Sequence, residues 1–232
     1  MKWIRTRKGA RLVHGRSIVS ELPAVPGPTH SVFDLLAAAT PLLTDARRVA
    51  LLGFAAGGSL APLRALGCSA RVRAADLDVG GVEVFREIAG GWGGDVRVAK
   101  AEASAWLRRQ RTPFDVVIDD LSISVPGDVR KPEVSFTVIP SLAARKLAPG
   151  GVALLNLLPE PGLDWPAALS RAAAPFPDAR TVWFEDWENQ FVIGGARLPE
   201  PRALQRALDA ALRRLGSKLA GGFEVSAVGT SA

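Results

Sequence analysis

Val49-Ala50-Leu51-Leu52-Gly53-Phe54-Ala55-Ala56-Gly57-Gly58 decides the fold. Its apolar run, bounded by Arg48 and Gly53, reads as a strand buried on both faces, as the strands of a parallel sheet are. The small-residue turn after it lets backbone approach a neighbour or a ligand closely. A helix is expected from about Ser59 to Leu66. Such a turn also serves plain packing of helix on strand. It lacks the lysine and the spacing of a phosphate-cradling loop.

The same alternation continues toward the C-terminus. Strands are expected at Arg71–Ala75, Val96–Ala99, Phe114–Ile118 and Val152–Leu155. Helices are expected at Val82–Ile88, Ala101–Arg109, Phe136–Leu147 and Trp165–Ala173. Successive βα units predict a parallel sheet with helices on both faces and right-handed crossovers. Thr181–Glu185 and Phe191–Ile193 read as an antiparallel pair at one edge, and Arg202–Leu215 as a terminal helix. The expected class is α/β and Rossmann-like: a mostly parallel twisted sheet with an antiparallel edge pair. Toward the N-terminus, Pro23–Pro28 is a rigid connector, and a helix from Ser31 to Leu43 takes its cap from Thr29 or Ser31. The chain thus divides into a short basic arm or strand segment (1–30), a nucleoside-binding domain (31–215) and a loose tail (216–232).

Composition narrows the chemistry. The 232 residues are 48% hydrophobic and 22% charged, which suits one globular domain with a core. Cys68 is the only cysteine and His14 and His30 the only histidines, so cysteine-rich and multi-histidine metal sites are excluded and no metal is expected. No apolar run is long enough to cross a bilayer and no signal core follows the basic start, so a cytoplasmic protein with no membrane partner is expected. The net charge is +6, and Lys2, Arg5, Arg7, Lys8, Arg11 and Arg16 all precede the first acid, Glu21. A solvated terminus explains this better than nucleic acid, since no nucleic-acid module accompanies it.

Open α/β sheets bind ligands beyond the carboxyl ends of their strands, so the residues just after each strand are the informative ones. Gly53, Ala55 and Gly57 form the first turn. Asp76, followed by Leu77 and Asp78, ends the second strand, about twenty residues after the first glycine, where a ribose hydroxyl pair is gripped. Glu102, followed by Ala103, ends the third; a carboxylate there accepts from an exocyclic amine or complements the helix dipole. Asp119-Asp120 ends the fourth. Adjacent side chains of an extended segment point to opposite sides, and Asp120, where the loop begins, is the candidate for the cleft. An acid in that place orients or deprotonates a nucleophile.

Together these stretches resemble the polyamine aminopropyltransferases, the spermidine synthase family, which share the class I fold of S-adenosylmethionine-dependent methyltransferases. The resemblance runs from Arg48 to Leu155, through Val49–Gly58, Ala75-Asp76-Leu77-Asp78, Ala101-Glu102-Ala103, Phe114–Leu121 and Leu147–Val152, a little under half the chain. It implies that Gly53, Gly57 and Gly58 form the glycine-rich turn, that Asp76 holds the ribose, and that Glu102 replaces an aspartate contacting the adenine amine. It implies further that Asp120 helps deprotonate the attacking amine and that His30 matches a histidine on the substrate side. Two acids of the family pattern are replaced, by Ala56 in the turn and by Ile123 in the loop after Asp120. The first helps bind the aminopropyl end of the donor and the second the cationic acceptor.

The expectation is therefore a spermidine synthase-like transferase. It would bind S-adenosylmethionine or decarboxylated S-adenosylmethionine and pass a methyl or aminopropyl group to a small-molecule acceptor. The losses at Ala56 and Ile123 tilt this away from polyamine synthesis. Alternatives are a non-catalytic nucleoside- or partner-binding protein of the same fold and, more weakly, a nucleic-acid methyltransferase using the basic arm. A homodimer is left open.

Overall fold

Val49, Ala50, Leu51 and Leu52 are each at most 1% exposed, because layers of apolar side chains cover both faces of their strand. Val49 and Leu51 face one core, and Ala50 and Leu52 face the other. The computed structural model describes residues 2–14, 17–125, 128–160 and 162–228. It begins with β1 (Lys2–Thr6), β2 (Gly9–His14) and β3 (Ser17–Pro23), then α1 (Phe33–Leu43). The alternating part follows as β4 (Arg48–Leu52), α2 (Leu60–Ala65), β5 (Arg71–Asp76), α3 (Gly80–Ala89), β6 (Val96–Lys100), α4 (Ala103–Arg109) and β7 (Phe114–Asp119). A hairpin, β8 (Ile123–Val125) and β9 (Asp128–Arg130), leads to α5 (Val134–Thr137), α6 (Ile139–Lys146), β10 (Leu147–Leu157) and α7 (Trp165–Ala173). The chain then adds β11 (Asp178–Phe184), β12 (Gln190–Gly195), α8 (Pro201–Leu215) and β13 (Phe223–Ala227).

The central sheet has eight strands in the order β13-β11-β12-β10-β7-β4-β5-β6. Strands β4, β5, β6, β7 and β10 run parallel. The chain steps outward from β4 through β5 to β6, then crosses to the other side of β4 to lay down β7. That reversal is a topological switch point, where the tips of β4 and β7 diverge and leave a crevice.

Three sequence expectations change. The tail expected to be loose from residue 216 returns to the sheet: β13 pairs antiparallel with β11, from Arg180 opposite Ala227 to Phe184 opposite Phe223. Phe223 and Val225 bury one face while Glu224 and Ser226 alternate with them, a period-two pattern masked by the turn residues around it. It therefore takes the outer place beside the antiparallel β11–β12 pair. The helix expected from Phe136 to Leu147 is two helices meeting at Val138. Leu147, expected to begin a stop, instead begins β10, whose register against β7 shifts between Leu147 and Val152.

The N-terminal segment, expected as a short basic arm or strand segment, is a three-stranded antiparallel sheet. Part of its positive charge is paired: Arg5 with Glu87 on α3, and Arg11 with Glu21 on β3. The Trp92 indole donates to the carbonyl of Ala24 at 3.0 Å, tying the connector after β3 to the main body. No helix among the described residues is long and apolar enough to cross a membrane.

Candidate functional site

The carboxyl-end tips of the parallel strands open into one cavity of about 610 Å³. Gly53, Ala55, Asp76 and Leu77 line it from β4 and β5. Glu102 and Ala103 line it after β6, Asp120 after β7, and His30 from the segment before α1. Three carboxylates expected at successive strand tips thus meet in one hollow. Gly57 is the exception among the residues singled out. It does not line the cavity, and with φ at +69° a side chain there would press on the Phe54 ring at 2.9 Å. Its small size serves packing, while the neighbouring Gly58 reaches the cavity.

At the β4–β6 end the acids shape the backbone as well as face the hollow. Asp76 Oδ2 accepts from the N–H groups of Phe54 and Ala55 at 2.7 and 2.9 Å, and Oδ1 accepts from the Asp78 N–H at 2.9 Å. Gly53 adopts φ of +84°, and a Cβ there would collide with the Asp120 carbonyl, so the turn requires glycine. Ala55 is held at φ 47° inside the same turn. Glu102 caps α4: its carboxylate accepts from the N–H groups of Ser104 and Ala105 at 2.8 and 2.7 Å and from the Ser104 hydroxyl at 2.8 Å. Desolvation works to raise the Glu102 pKa, but these hydrogen bonds and Arg108 outweigh it and hold the carboxyl below its ordinary range.

A carboxylate offers about four acceptor positions. Asp76 and Glu102 each spend three internally and keep one, on Oδ1 and Oε1. Each can therefore take one hydroxyl or amine hydrogen from a ligand.

At the β7–β10 end the pattern is different. Asp120 Oδ1 accepts from Asn156 Nδ2 at 2.8 Å, and Asn156 Oδ1 accepts in turn from Asn189 Nδ2 at 2.8 Å. Asp120 Oδ2 has no partner among the described residues. Burial pushes the Asp120 carboxyl up to about 6; Lys131 and the Asn156 hydrogen bond work against the rise, and Asp119 and Asp76 add to it. The adjacent Asp119 does not line the hollow and pairs with Lys131, Oδ1 to Nζ at 3.2 Å, both side chains at most 2% exposed.

The entrance is shaped by Thr29 and His30. Buried Asp34 reaches back from α1 to accept from the Thr29 N–H and hydroxyl at 2.7 Å and from the His30 N–H at 2.9 Å. These bonds run back to residues before the helix, while the Ser31 hydroxyl accepts from the N–H of Phe33, the first residue of α1, at 3.4 Å. His30 sits at φ 58°; it and Ala55 are the two non-glycine residues with positive φ among the described residues. Both line the cavity. Each such conformation costs about 1–2 kcal/mol, and strain of this kind gathers at functional sites.

Lys131, Asn156, Trp187 and Asn189 also line the hollow and were missed by the sequence reading. Asn156 carried a signal: it is the polar residue interrupting Leu154-Leu155-Asn156-Leu157 at a strand tip. Trp187 and Asn189 lie just before β12, which runs antiparallel to β10, so they reach the tips from the opposite chain direction.

No protein-family model matches the chain, and no curated protein sequence matches it. Solved structures do resemble it. A probable spermidine synthase from Corynebacterium glutamicum is 18% identical over 98% of this chain and 87% of its own, with a TM-score of 0.75. Spermidine synthase from Thermotoga maritima is 13% identical over 93% of this chain and 87% of its own, TM-score 0.62. Human methyltransferase-like protein 13, in complex with SAH, is 20% identical over 79% of this chain and 90% of its own, TM-score 0.60. The chain has the Rossmann-like class I methyltransferase fold in its spermidine synthase-like form.

Proposed function

Starting from that fold, we propose that the chain is a transferase that binds S-adenosylmethionine or its decarboxylated derivative and directs a methyl or aminopropyl group to a small nucleophile. The observation that carries this reading is the gathering of Asp76, Glu102 and Asp120 from successive strand tips around one cavity. The residues present fit an adenosyl ligand. Asp76 offers one acceptor position for a ribose hydroxyl, and Glu102 offers one for the adenine amine. Leu77, 66% exposed on the cavity wall, offers apolar surface to a purine. Structures of the same fold hold related ligands, as the SAH complex of methyltransferase-like protein 13 does.

When bound, the ligand supplies an electrophilic carbon beside its sulfonium sulfur. The chain's part is to place the acceptor in line and to receive its proton. Asp120 suits the second task, because a carboxyl titrating at about 6 is ionised at neutral pH and more basic than an ordinary aspartate. Asn156, anchored by Asn189, fixes its orientation.

Calorimetry with S-adenosylmethionine, decarboxylated S-adenosylmethionine and methylthioadenosine tests the reading. One site per chain is expected for at least one of them. Asp76→Ala should weaken it about tenfold or more, as loss of a hydrogen bond to a charged group does. Absence of binding heat with all three would overturn the proposal.

A further inference from the structure

The nucleoside accounts for the β4–β6 end and leaves the β7–β10 end, where an acceptor would sit, unexplained. Two observations there point the same way. The first is apolar exposure. Six large hydrophobic side chains are exposed among the described residues, and three of them, Leu77, Ile123 and Trp187, line this cavity. Ile123 on β8 and Trp187 before β12 are 45% and 40% exposed, and Pro132, Val134 and Leu158 also line the cavity. Apolar surface concentrated at a cavity mouth marks a binding surface.

The second is charge. The acids among the lining residues are Glu21, Asp76, Glu102 and Asp120. Glu21 is paired with Arg11, and Asp76 and Glu102 are largely spent on backbone N–H groups at the other end. Asp120 stands alone, with the buried Lys131 ammonium close enough to act on its charge. Asp186 and Glu188 flank Trp187 in the sequence but do not line the cavity. A polyamine brings two or more ammonium groups, and an ammonium taken from water without a carboxylate partner is strongly disfavoured.

We propose that this end of the cavity takes a neutral, mainly apolar aromatic molecule that presents a single O–H or N–H to Asp120, and that it rejects polyamines. The proposal rests on the reading of the other end as a nucleoside site and names the class of its acceptor. Trp187 and Ile123 supply the face for the ring. Asn156 holds Asp120 so that Oδ2 meets the one polar hydrogen.

The test is competitive calorimetry on the full chain saturated with methylthioadenosine at neutral pH, with p-cresol as the neutral aromatic probe and putrescine and spermidine as the polycations. The cresol is expected to bind at least tenfold more tightly than either polyamine. Trp187→Ala should weaken cresol about tenfold, as loss of a buried aromatic anchor does, without changing methylthioadenosine affinity. Ile123→Asp, an exposed change on the hairpin, should weaken cresol and tighten putrescine by up to about fivefold, the scale of one partly solvated ion pair. Equal or tighter polyamine binding by the parent chain would overturn the proposal. So would cresol that fails to bind, or that binds Trp187→Ala as well as the parent. If methylthioadenosine fails to bind while cresol still does, the nucleoside reading falls and the aromatic site stands.

Discussion

The two ends of the cavity are built by opposite means. At the β4–β6 end, carboxylates are satisfied by backbone N–H groups a few residues away or in the neighbouring βα turn, as with Asp76 on Phe54 and Ala55 and Glu102 on Ser104 and Ala105. At the β7–β10 end, side chains satisfy side chains far apart in sequence: Asp120 with Asn156, Asn156 with Asn189, Asp119 with Lys131. The first arrangement makes a cradle from contacts within the βα turns. The second leaves a carboxyl whose pKa burial raises to about 6 beside an apolar wall.

The sharpest way to break the contrast is at Lys131. Removing the ammonium with Lys131→Ala leaves the Asp119 carboxylate buried and unpaired, which should cost about 3–5 kcal/mol in denaturant unfolding. Adding Asp119→Asn should return much of that, since the stranded charge goes with it. Asp76→Ala comes next. The Phe54 and Ala55 N–H groups lose their acceptor, so stability should fall by about 2 kcal/mol together with nucleoside affinity. Loss of affinity without loss of stability would show that the cradle does not depend on this carboxylate.

Asp120 sharpens the contrast through pH. Its folded pKa of about 6 lies above the ordinary value of 3.8. The extra stability of the protonated form is therefore complete below about pH 4 and is lost as the pH rises through about 6. Asp120→Asn has no such loss, so relative to the parent it should gain about 2 kcal/mol between pH 4 and pH 8. Turnover by the parent should rise with pH through the same region and be much reduced in the variant. A flat difference in stability across that range would contradict the assigned environment. The smallest effect belongs to Ala55→Gly, which relieves the left-handed alanine and should stabilise the fold by about 0.5 kcal/mol in thermal or denaturant unfolding.

What the sequence revealed follows the same division. The β4–β7 core and its tips were legible because each unit repeats one local grammar of apolar run, turn or acid, then helix. Asp76, Glu102 and Asp120 could be placed from their own neighbours alone. Gly57 misled because the same small residue serves backbone turning and the packing of Phe54. Strand β13 hid because Phe223 and Val225 are its only large apolar residues and turns precede it. Lys131 sits in a loop without periodicity, and it is buried in a pair with Asp119, a contact no local pattern states. Trp187 stands between Asp186 and Glu188 in the sequence and becomes a wall only when β12 folds back along β10.

A co-crystal with methylthioadenosine tests the central claim most directly. The ribose is expected within hydrogen-bond reach of Asp76 Oδ1, the adenine amine at Glu102 Oε1, and the sulfur facing Asp120. Nucleoside density anywhere else on the molecule, or across the Trp187 wall instead, would contradict it.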